Sequence, residues 1–462
     1  MAGGGLCTPW LLTRTYDDKE RQFSGRPEMT PSVSREMHHP QIRHTPSAIA
    51  MVTPGWPADC FPNGIVTYTT TLRSGLRRAG ARVFVLTDQL RSESRQDDVV
   101  ALIRGYRPAE LVSHVAWRLP GWRIRRSLSV RNNATRIKRS VRLLHRRMGL
   151  QLLEMEETFG ITGHLVGKCP VPLVVRLHGP HFLTSVFGSG LHPDGLHRWQ
   201  NRSEGAGIRA ATGVSAPSED VLERTREFYG LELPTSAVIP NPIEPVSRPK
   251  RWSPNQCEEE TILFVGRFDR LKGADVVIKA FGRVAACRPK SRLIFVGPDR
   301  GLLDESGLHW QVESYARAHL PPDSLARFEY LGFRSGDELE QLRREAAVVV
   351  VPSRYENFPY TALEACALGC PLITSDIGGL SEIIKDGETG LLAEPGDPDD
   401  LAMKITKLLD HRELAARLGE SAARDAERRF HPDVIARRTL EFYGRVIEQH
   451  RDETHRRRRR WR

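Results

Sequence analysis

The chain of 462 residues lacks any apolar run near the ~20 residues that a membrane-spanning helix requires. Its most apolar stretch, residues 346–352, has only the length of a strand. Residues 1–12 contain no lysine or arginine ahead of a long apolar core, which argues against a secretory signal. A membrane-spanning or exported protein is therefore not expected, and the sequence predicts a cytoplasmic location.

Cysteine patterns that form disulfides or bind metals are also missing. The seven cysteines are scattered and odd in number, and none forms a Cys-x-x-Cys pair. This usage predicts reduced thiols in a protein core rather than a disulfide framework or a zinc site. The Asp-x-Asp sequence at Asp397 and Asp399 lies in a turn before a charged helix, and we interpret it as a chance match. No metal or other cofactor is expected.

The charge that is present is mostly positive. The net charge of +11 favours anionic partners, such as nucleotides, sugar phosphates, phospholipid or nucleic acid. Charge alone does not choose among them. No recognised nucleic-acid-binding motif accompanies it, so nucleic acid is not an expected partner.

The hydrophobic pattern predicts two α/β domains. Residues 1–45, rich in Gly, Pro, Ser, Arg and His, are expected to form a disordered leader. Strands and helices then alternate through residues 46–245 and again through 246–430, with a Pro-rich boundary at 240–245. This alternation predicts two Rossmann-like, doubly wound parallel-sheet domains that face a central cleft. A helix at 431–450 and a basic tail at 451–462 complete the chain.

Two cations follow the first strand of the second domain. Arg267 and Lys272 lie in the loop that begins at Gly266, at the strand end where an α/β cleft binds its ligand. Fixed cations at such a place suit a diphosphate, because arginine binds two oxygens and lysine adds a compact charge. The alternative is a solvated basic loop.

Two carboxylates, Glu356 and Glu364, flank the start of a later helix. The turn at Asn357, Phe358 and Pro359 opens this helix, and Pro359 suits its first turn. Backbone N–H groups at the helix start, around Tyr360 and Thr361, would face a phosphate. Carboxylates beside a phosphate suit neutral sugar or ribose hydroxyls. The alternative is an ordinary charged helix face.

The first domain offers a weaker pair of signals. Asn63 and Gly64 form a strand-to-helix loop in which glycine lets a ligand approach the backbone closely, although such a pair is usually only a turn. His178 and Gly179 follow a strand, and a lone histidine there is more often structural.

Three segments together resemble a known family. They are 264–273 (Phe-Val-Gly-Arg-Phe-Asp-Arg-Leu-Lys-Gly), Glu356 with Glu364 eight positions later, and 378–392, which begins Gly-Gly-Leu-Ser-Glu. In this order they resemble the retaining GT-B enzymes of glycosyltransferase family 4. The resemblance covers roughly residues 49–443 and is stronger in the C-terminal half.

The resemblance implies roles at matching positions. Arg267 and Lys272 would hold the leaving diphosphate of a nucleotide-sugar donor, Glu356 would bind the hydroxyls of the transferred sugar, and Glu364 would bind the ribose. The amides of 358–361 would contact phosphate, His178 would lie by the donor sugar, and Gly64 would match the second glycine of a phosphate-side loop. Asn63 replaces the first glycine of that loop, and we expect its turn to survive because asparagine tolerates positive φ.

The sequence thus predicts a retaining, metal-independent glycosyltransferase that acts on a glycan, lipid-linked or small-molecule acceptor. Alternatives of the same fold are a sugar-nucleotide epimerase and a phosphorylase. In another class, the chain would be a catalytically silent nucleotide-sugar sensor or a membrane-surface scaffold.

A basic segment in the first domain bears on the acceptor. Residues 118–147 contain no acidic residue and many cations: Arg123, Arg125, Arg126, Arg131, Arg136, Lys138, Arg139, Arg142 and Arg146. Ile137, Val141, Leu144 and Met148 recur at helical spacing. Such a helix would either lie on an anionic membrane surface, making the protein peripheral at the inner face, or dock on its domain with the charges in water.

Overall fold

The computed structural model describes residues 46–61, 63–91, 98–102, 122–157, 160–189, 195–304 and 306–460, so the predicted leader at 1–45 lies outside the described residues. The described residues form two α/β domains, each with a wholly parallel main sheet. The predicted fold class is therefore confirmed. Buried aliphatic runs in both sheets reflect helices that cover both faces.

The N-terminal domain contains a seven-stranded sheet with the order β3-β2-β1-β4-β5-β6-β7. Its strands are β1 (Ala48–Thr53), β2 (Arg82–Thr87), β3 (Val99–Ala101), β4 (Leu152–Glu156), β5 (Leu173–Arg176), β6 (Gly213–Ala216) and β7 (Ser236–Val238). Its helices are α1 (Gly64–Arg78), α2 (Trp122–Met148), α3 (His181–Ser189), α4 (Gly195–Ala210) and α5 (Glu219–Tyr229).

The C-terminal domain contains a six-stranded sheet with the order β12-β9-β8-β13-β14-β15, and β10 and β11 form a separate antiparallel hairpin. Its strands are β8 (Thr261–Val265), β9 (Arg292–Val296), β10 (Leu302–Leu303), β11 (His309–Trp310), β12 (Phe328–Gly332), β13 (Val348–Val351), β14 (Leu372–Ser375) and β15 (Leu391–Ala393). Its helices are α6 (Ala274–Cys287), α7 (Val312–His319), α8 (Pro322–Leu325), α9 (Gly336–Glu345), α10 (Tyr360–Leu368), α11 (Gly379–Ile383), α12 (Pro398–Asp410), α13 (Arg412–Phe430) and α14 (Pro432–Arg460).

Local side chains explain several helix ends. Ser218 caps α5 by accepting from the Val221 amide at 3.3 Å, and Gly230 ends the helix with a left-handed φ of 59°. Asp397 caps α12 by accepting from the amides of Asp399 and Asp400. The first aspartate of the Asp-x-Asp sequence is therefore a helix cap.

Helix α14 returns to the N-terminal domain after the second sheet is complete. The hydroxyl of Tyr443 donates to Glu154 at 2.5 Å, and Arg78 on α1 pairs with Asp433 at 2.6 Å. The helix continues to Arg460, so it includes most of the predicted basic tail, with Thr454 bonded to the carbonyl of His450. In the part of the chain that the structure describes, no helix is long and apolar enough to cross a membrane.

Helix α2 carries the basic segment. Ile137, Val141 and Leu144 are buried in the core of the N-terminal domain, whereas Met148 is 38% exposed. The apolar face therefore docks on its own domain, as the second of the two alternatives predicts. Leu143 is also 37% exposed, among exposed cations of the outer face. The side chains of residues 122–126 lie outside the described part.

Candidate active site

The loops that follow β5 and β13 meet between the two domains. The Nδ2 group of Asn357 donates to the carbonyl of His178 at 2.8 Å, and the hydroxyl of Ser218 donates to the carbonyl of Asn357 at 3.0 Å. The carboxyl ends of parallel strands are where α/β proteins bind ligands. The structure therefore brings most of the predicted site residues to one interdomain region.

The loop between β8 and α6 holds the two predicted cations. One oxygen of Asp269 accepts from the Lys272 amide at 2.9 Å, and the other accepts from the Arg267 guanidinium at 2.7 Å. Gly273 has a φ of 68°, and a Cβ there would lie 1.9 Å from the carbonyl of Pro352. Only glycine fits this turn, which packs the loop against the end of β13.

Lys272 and Glu356 form an ion pair in the site. The Nζ of Lys272 lies 2.6 Å from Oε1 of Glu356, and the same oxygen accepts from the Ser353 hydroxyl at 2.9 Å. Glu356 is only 8% exposed, whereas the side chain of Arg267 is 45% exposed. One cation is thus fixed against a buried carboxylate, and the other reaches toward solvent at the cleft.

Helix α10 begins beside this pair. It starts at Tyr360, with Pro359 as its N-cap residue in an extended conformation, so Pro359 lies one position before the predicted first turn. Proline also has no N–H group. Pro359 therefore cannot donate a hydrogen bond to a phosphate, although the resemblance assigned that role to the amides of 358–361. The amides of Tyr360, Thr361 and Ala362 have no acceptor within the helix and remain as donors.

Gly379 supports the loop before α10. The amide of Gly379 donates to the carbonyl of Glu356 at 2.9 Å. A Cβ on Gly379 would lie 1.9 Å from the carbonyl of Asn357, so only glycine permits this approach. This packing fixes the backbone that carries Glu356 and Asn357.

Glu364 lies on α10, one turn beyond its start. The guanidinium of Arg343 on α9 is 2.5 Å from Oε2 of Glu364, and the two side chains are 4% and 35% exposed. The buried arginine holds one carboxylate oxygen, and the exposed part of the carboxylate can accept from a diol.

Gly64 and Asn63 lie at the start of α1. Asn63 has an extended backbone, with φ −151°, and its side chain accepts from the Ile65 amide at 2.8 Å. The expected positive φ is therefore wrong, because asparagine acts here as a helix cap. Gly64 begins the helix, and a Cβ on it would lie 3.9 Å from the ring of Tyr360. The first domain thus approaches the start of α10 closely.

His178 faces the N-terminal side of the site. Its ring packs edge to face on Tyr68 with the centroids 4.7 Å apart. Burial, with a smaller contribution from the Arg176 cation, lowers the pKa of His178 well below its ordinary value. The imidazole is therefore neutral at neutral pH and can donate or accept a hydrogen bond.

Two residues that join the domains, Arg176 and Asn241, were not predicted from the sequence. Arg176 is wholly buried, and its Nη2 donates to Oδ1 of Asn241 at 2.8 Å. The Nδ2 group of Asn241 in turn donates to the carbonyl of Phe358 at 2.9 Å. Asn241 lies within the Pro-rich boundary at 240–245, where nothing in the sequence indicates such a contact, and an arginine at the end of a strand gives no sequence signal of burial.

Glu382 makes a further contact between the domains that the sequence did not predict. Its two carboxylate oxygens each accept from a backbone amide at the start of α5, those of Glu219 and Asp220, both at 3.0 Å. Burial raises the pKa of Glu382. A carboxylate of the second domain therefore caps a helix of the first.

Within the described ranges, no group of three or more His, Cys, Asp or Glu side chains could hold a metal ion. Metal independence remains a prediction.

Comparison with known proteins decides the family. The model described as Glycosyltransferase Family 4 matches residues 62–246, and that of Glycosyl transferases group 1 matches 248–425. A D-inositol 3-phosphate glycosyltransferase of Paenarthrobacter aurescens is 31% identical over 65% of this chain and 71% of its own length. The chain belongs to glycosyltransferase family 4.

Other relatives match over shorter spans. An uncharacterized glycosyltransferase of Methanocaldococcus jannaschii is 32% identical over 42% of this chain and 47% of its own length. A glycogen synthase of Mycobacterium tuberculosis is 29% identical over 59% of this chain and 63% of its own. The chain thus spans about half to two thirds of these two relatives.

Solved structures show that this family 4 chain has the GT-B fold. Sucrose-phosphate synthase from Thermosynechococcus elongatus superposes with a TM-score of 0.64 at 21% identity, covering 87% of this chain and 99% of its own. An Anabaena protein crystallised with UDP and glucose gives 0.61 at 19% identity, covering 86% and 98%.

Proposed function

We propose that this chain is a retaining glycosyltransferase that transfers a sugar from a nucleotide-sugar donor without a metal ion. The observation that carries the proposal is the pairing of Lys272 with the buried Glu356, beside Arg267 and the start of α10. Cations and helix-start amides converge where a diphosphate would lie, and a carboxylate stands beside them for sugar hydroxyls.

The proposed reaction replaces one C–O bond by another on the same face of the sugar. The bond from the anomeric carbon to the donor phosphate breaks, and its electron pair leaves with the nucleoside diphosphate. The acceptor oxygen bonds to the anomeric carbon, and its proton passes to the leaving phosphate. Arg267, Lys272 and the α10 amides would stabilise the charge that develops on the diphosphate.

Donor identity is the first point to test. Since one of the similar folds was crystallised with UDP and UDP-glucose, UDP-sugars are the first donors to examine. A thermal-shift panel of UDP, GDP and ADP would identify the base, because a ligand at 100 times its Kd adds about 2.7 kcal/mol to stability. Nucleotide release from the matching sugar nucleotides then measures transfer. Binding without release from any of them would favour a silent sensor and reject the proposed activity.

The acceptor side of the proposal rests on α2. Its outer face carries the exposed Arg142, Arg146 and Arg147 with the partly exposed Leu143 and Met148. Cations interspersed with apolar side chains suit an anionic membrane surface. Since the apolar face of α2 is docked on its own domain, this outer face alone would make the membrane contact, and we infer a peripheral protein that meets a lipid-linked or membrane-proximal acceptor.

A further inference from the structure

Two buried carboxylates lie beneath the loop that carries His178. Glu157, 2% exposed, follows β4, and its Oε2 and Oε1 accept from the amides of His178 at 3.0 Å and Gly179 at 2.7 Å. Glu204 on α4, 3% exposed, accepts from the His181 amide at 2.9 Å through Oε1. Three backbone amides of the segment 178–181 are thus held by two side chains.

The two carboxylates use their oxygens differently. Both oxygens of Glu157 accept a backbone amide, so its contacts need two acceptor oxygens. In Glu204 a single oxygen, Oε1, accepts both the His181 amide and the Tyr229 hydroxyl, the latter at 3.0 Å. An uncharged carboxyl or an amide can make both of these contacts.

We propose that Glu157 is a positioning residue for sugar transfer, whose carboxylate fixes the His178–Gly179 backbone and thereby the His178 imidazole against the donor sugar. This inference rests on the proposed function. The ring of His178 is otherwise located by its contact with Tyr68, and its carbonyl by Asn357. Displacement of a reacting arrangement by about 1 Å can cost on the order of a hundredfold in rate.

A matched pair of variants separates positioning from the mere exchange of a buried carboxyl group for an amide. Glu157→Gln puts an NH2 group against a backbone N–H, so one of the two amides loses its acceptor. Glu204→Gln makes the same chemical change but retains the one oxygen that accepts. We expect E157Q to fall about tenfold or more in kcat/KM and E204Q to remain within about twofold of the wild-type protein.

Three readouts distinguish this role from general destabilisation. Hydrogen exchange at the amides of His178 and Gly179 should accelerate in E157Q and not in E204Q. Affinity for the nucleoside diphosphate alone should not change in either, because neither variant alters Arg267, Lys272 or the α10 amides proposed to bind the diphosphate. In a His178→Ala background, E157Q should cost no further rate, since Glu157 acts through His178.

Several outcomes would overturn the proposal. One is unchanged hydrogen exchange at the His178 and Gly179 amides in E157Q, and another is faster exchange there with unchanged kcat/KM. A third is that E157Q lowers the rate as much in the His178→Ala background as it does in the wild-type protein. Should E157Q not fold, Glu157→Asp keeps both oxygens on a shorter arm and is judged by the same criteria. Should the wild-type protein transfer no sugar, the proposed function fails. The positioning role is then tested by binding alone. The wild-type protein should bind the nucleotide-sugar more tightly than the nucleoside diphosphate, and E157Q should lose this difference.

Discussion

The ammonium of Lys272 lies 2.6 Å from Oε1 of Glu356, so a cation and a buried carboxylate from two separate loops meet at the start of α10. The pair joins the loop after β8 to the loop after β13. A donor diphosphate would bind the same ammonium group of Lys272. Glu356 would then hold the lysine in place while its remaining oxygen faces the transferred sugar.

Lys272→Ala should lower turnover by about a hundredfold to a thousandfold, because it removes a fixed charge that acts on the leaving diphosphate. The fold should persist, since the side chain of Lys272 is 24% exposed and the Ser353 hydroxyl still donates to Glu356. Single-turnover rates and circular dichroism would test this. Lys290→Ala, an exposed lysine in the turn before β9, is the control. Normal transfer by Lys272→Ala would reject the assigned role.

Glu364→Gln should weaken nucleotide binding about tenfold, because a hydrogen bond to a charged group contributes about 1.5–3 kcal/mol. The loss should be large for a ribonucleotide and small for its 2′-deoxy analogue, which lacks one hydroxyl of the diol. Calorimetry with both nucleotides measures the difference. Glu340→Gln, which alters an exposed helix pair with Arg344, should bind both as the wild type does. An equal loss for both nucleotides would contradict ribose recognition.

Much of the fold follows from the sequence because most strands are continuous aliphatic runs. Strands Arg82–Thr87, Thr261–Val265 and Arg292–Val296 are runs of this kind within the predicted alternation. Strand β4 lacks this pattern, since Leu152–Glu156 contains two glutamates. Glu154 is tolerated in the core because the hydroxyls of Tyr68 and Tyr443 donate to it from two distant helices and the Arg176 cation lies nearby. No local pattern reveals such partners.

The candidate site shows the same limit. Arg267, Lys272 and Glu356 could be identified because they occupy strand ends in a recognisable order. Asn241 and Glu382 could not, because their roles depend on amides and carbonyls of the other domain. Contacts between domains carry no periodicity in the sequence.

Glu382→Ala should destabilise the contact between the domains, because it leaves two amides at the start of α5 without their cap. A lost cap typically costs about 0.5–2 kcal/mol. Urea denaturation should show this loss, and small-angle scattering should show a larger radius of gyration if the domains separate. Glu388→Ala, an exposed residue in the following turn, is the control and should change neither quantity. Unaltered stability in Glu382→Ala would show that the cap contributes little.

Arg146→Glu with Arg147→Glu should weaken binding to anionic vesicles. Each cation near such a surface contributes about 1 kcal/mol, so losing two reduces partition by roughly thirtyfold at low salt, and the two added negative charges reduce it further. Sedimentation with vesicles of anionic or neutral lipid measures partition. Arg417→Glu with Arg424→Glu makes the same charge change on exposed positions of α13 and should partition as the wild type does. Equal partition of the wild type into both lipids would reject the membrane surface.

The buried carboxyl of Glu204 should make stability depend on pH. Burial, then the neighbouring Glu157, raises the pKa of Glu204 to about 8 from an ordinary 4.5. The other ionisable groups around the pair are the guanidinium of Arg176, the hydroxyl of Tyr229, and the imidazoles of His178 and His181, the last stacked on His197 at 5.2 Å.

Between about pH 4.5 and 8 the unfolded chain has lost the Glu204 proton and the folded protein retains it. The folded state then binds more protons, so this group makes the free energy of unfolding fall as pH rises through that window and stay level above it. Glu204→Gln removes the titration. The variant should therefore match the wild type near pH 4.5 and exceed it increasingly toward pH 8, by a few kcal/mol at about 1.4 kcal/mol per pKa unit. Urea denaturation of both proteins at several pH values measures the difference, and parallel stability curves would show that Glu204 titrates normally.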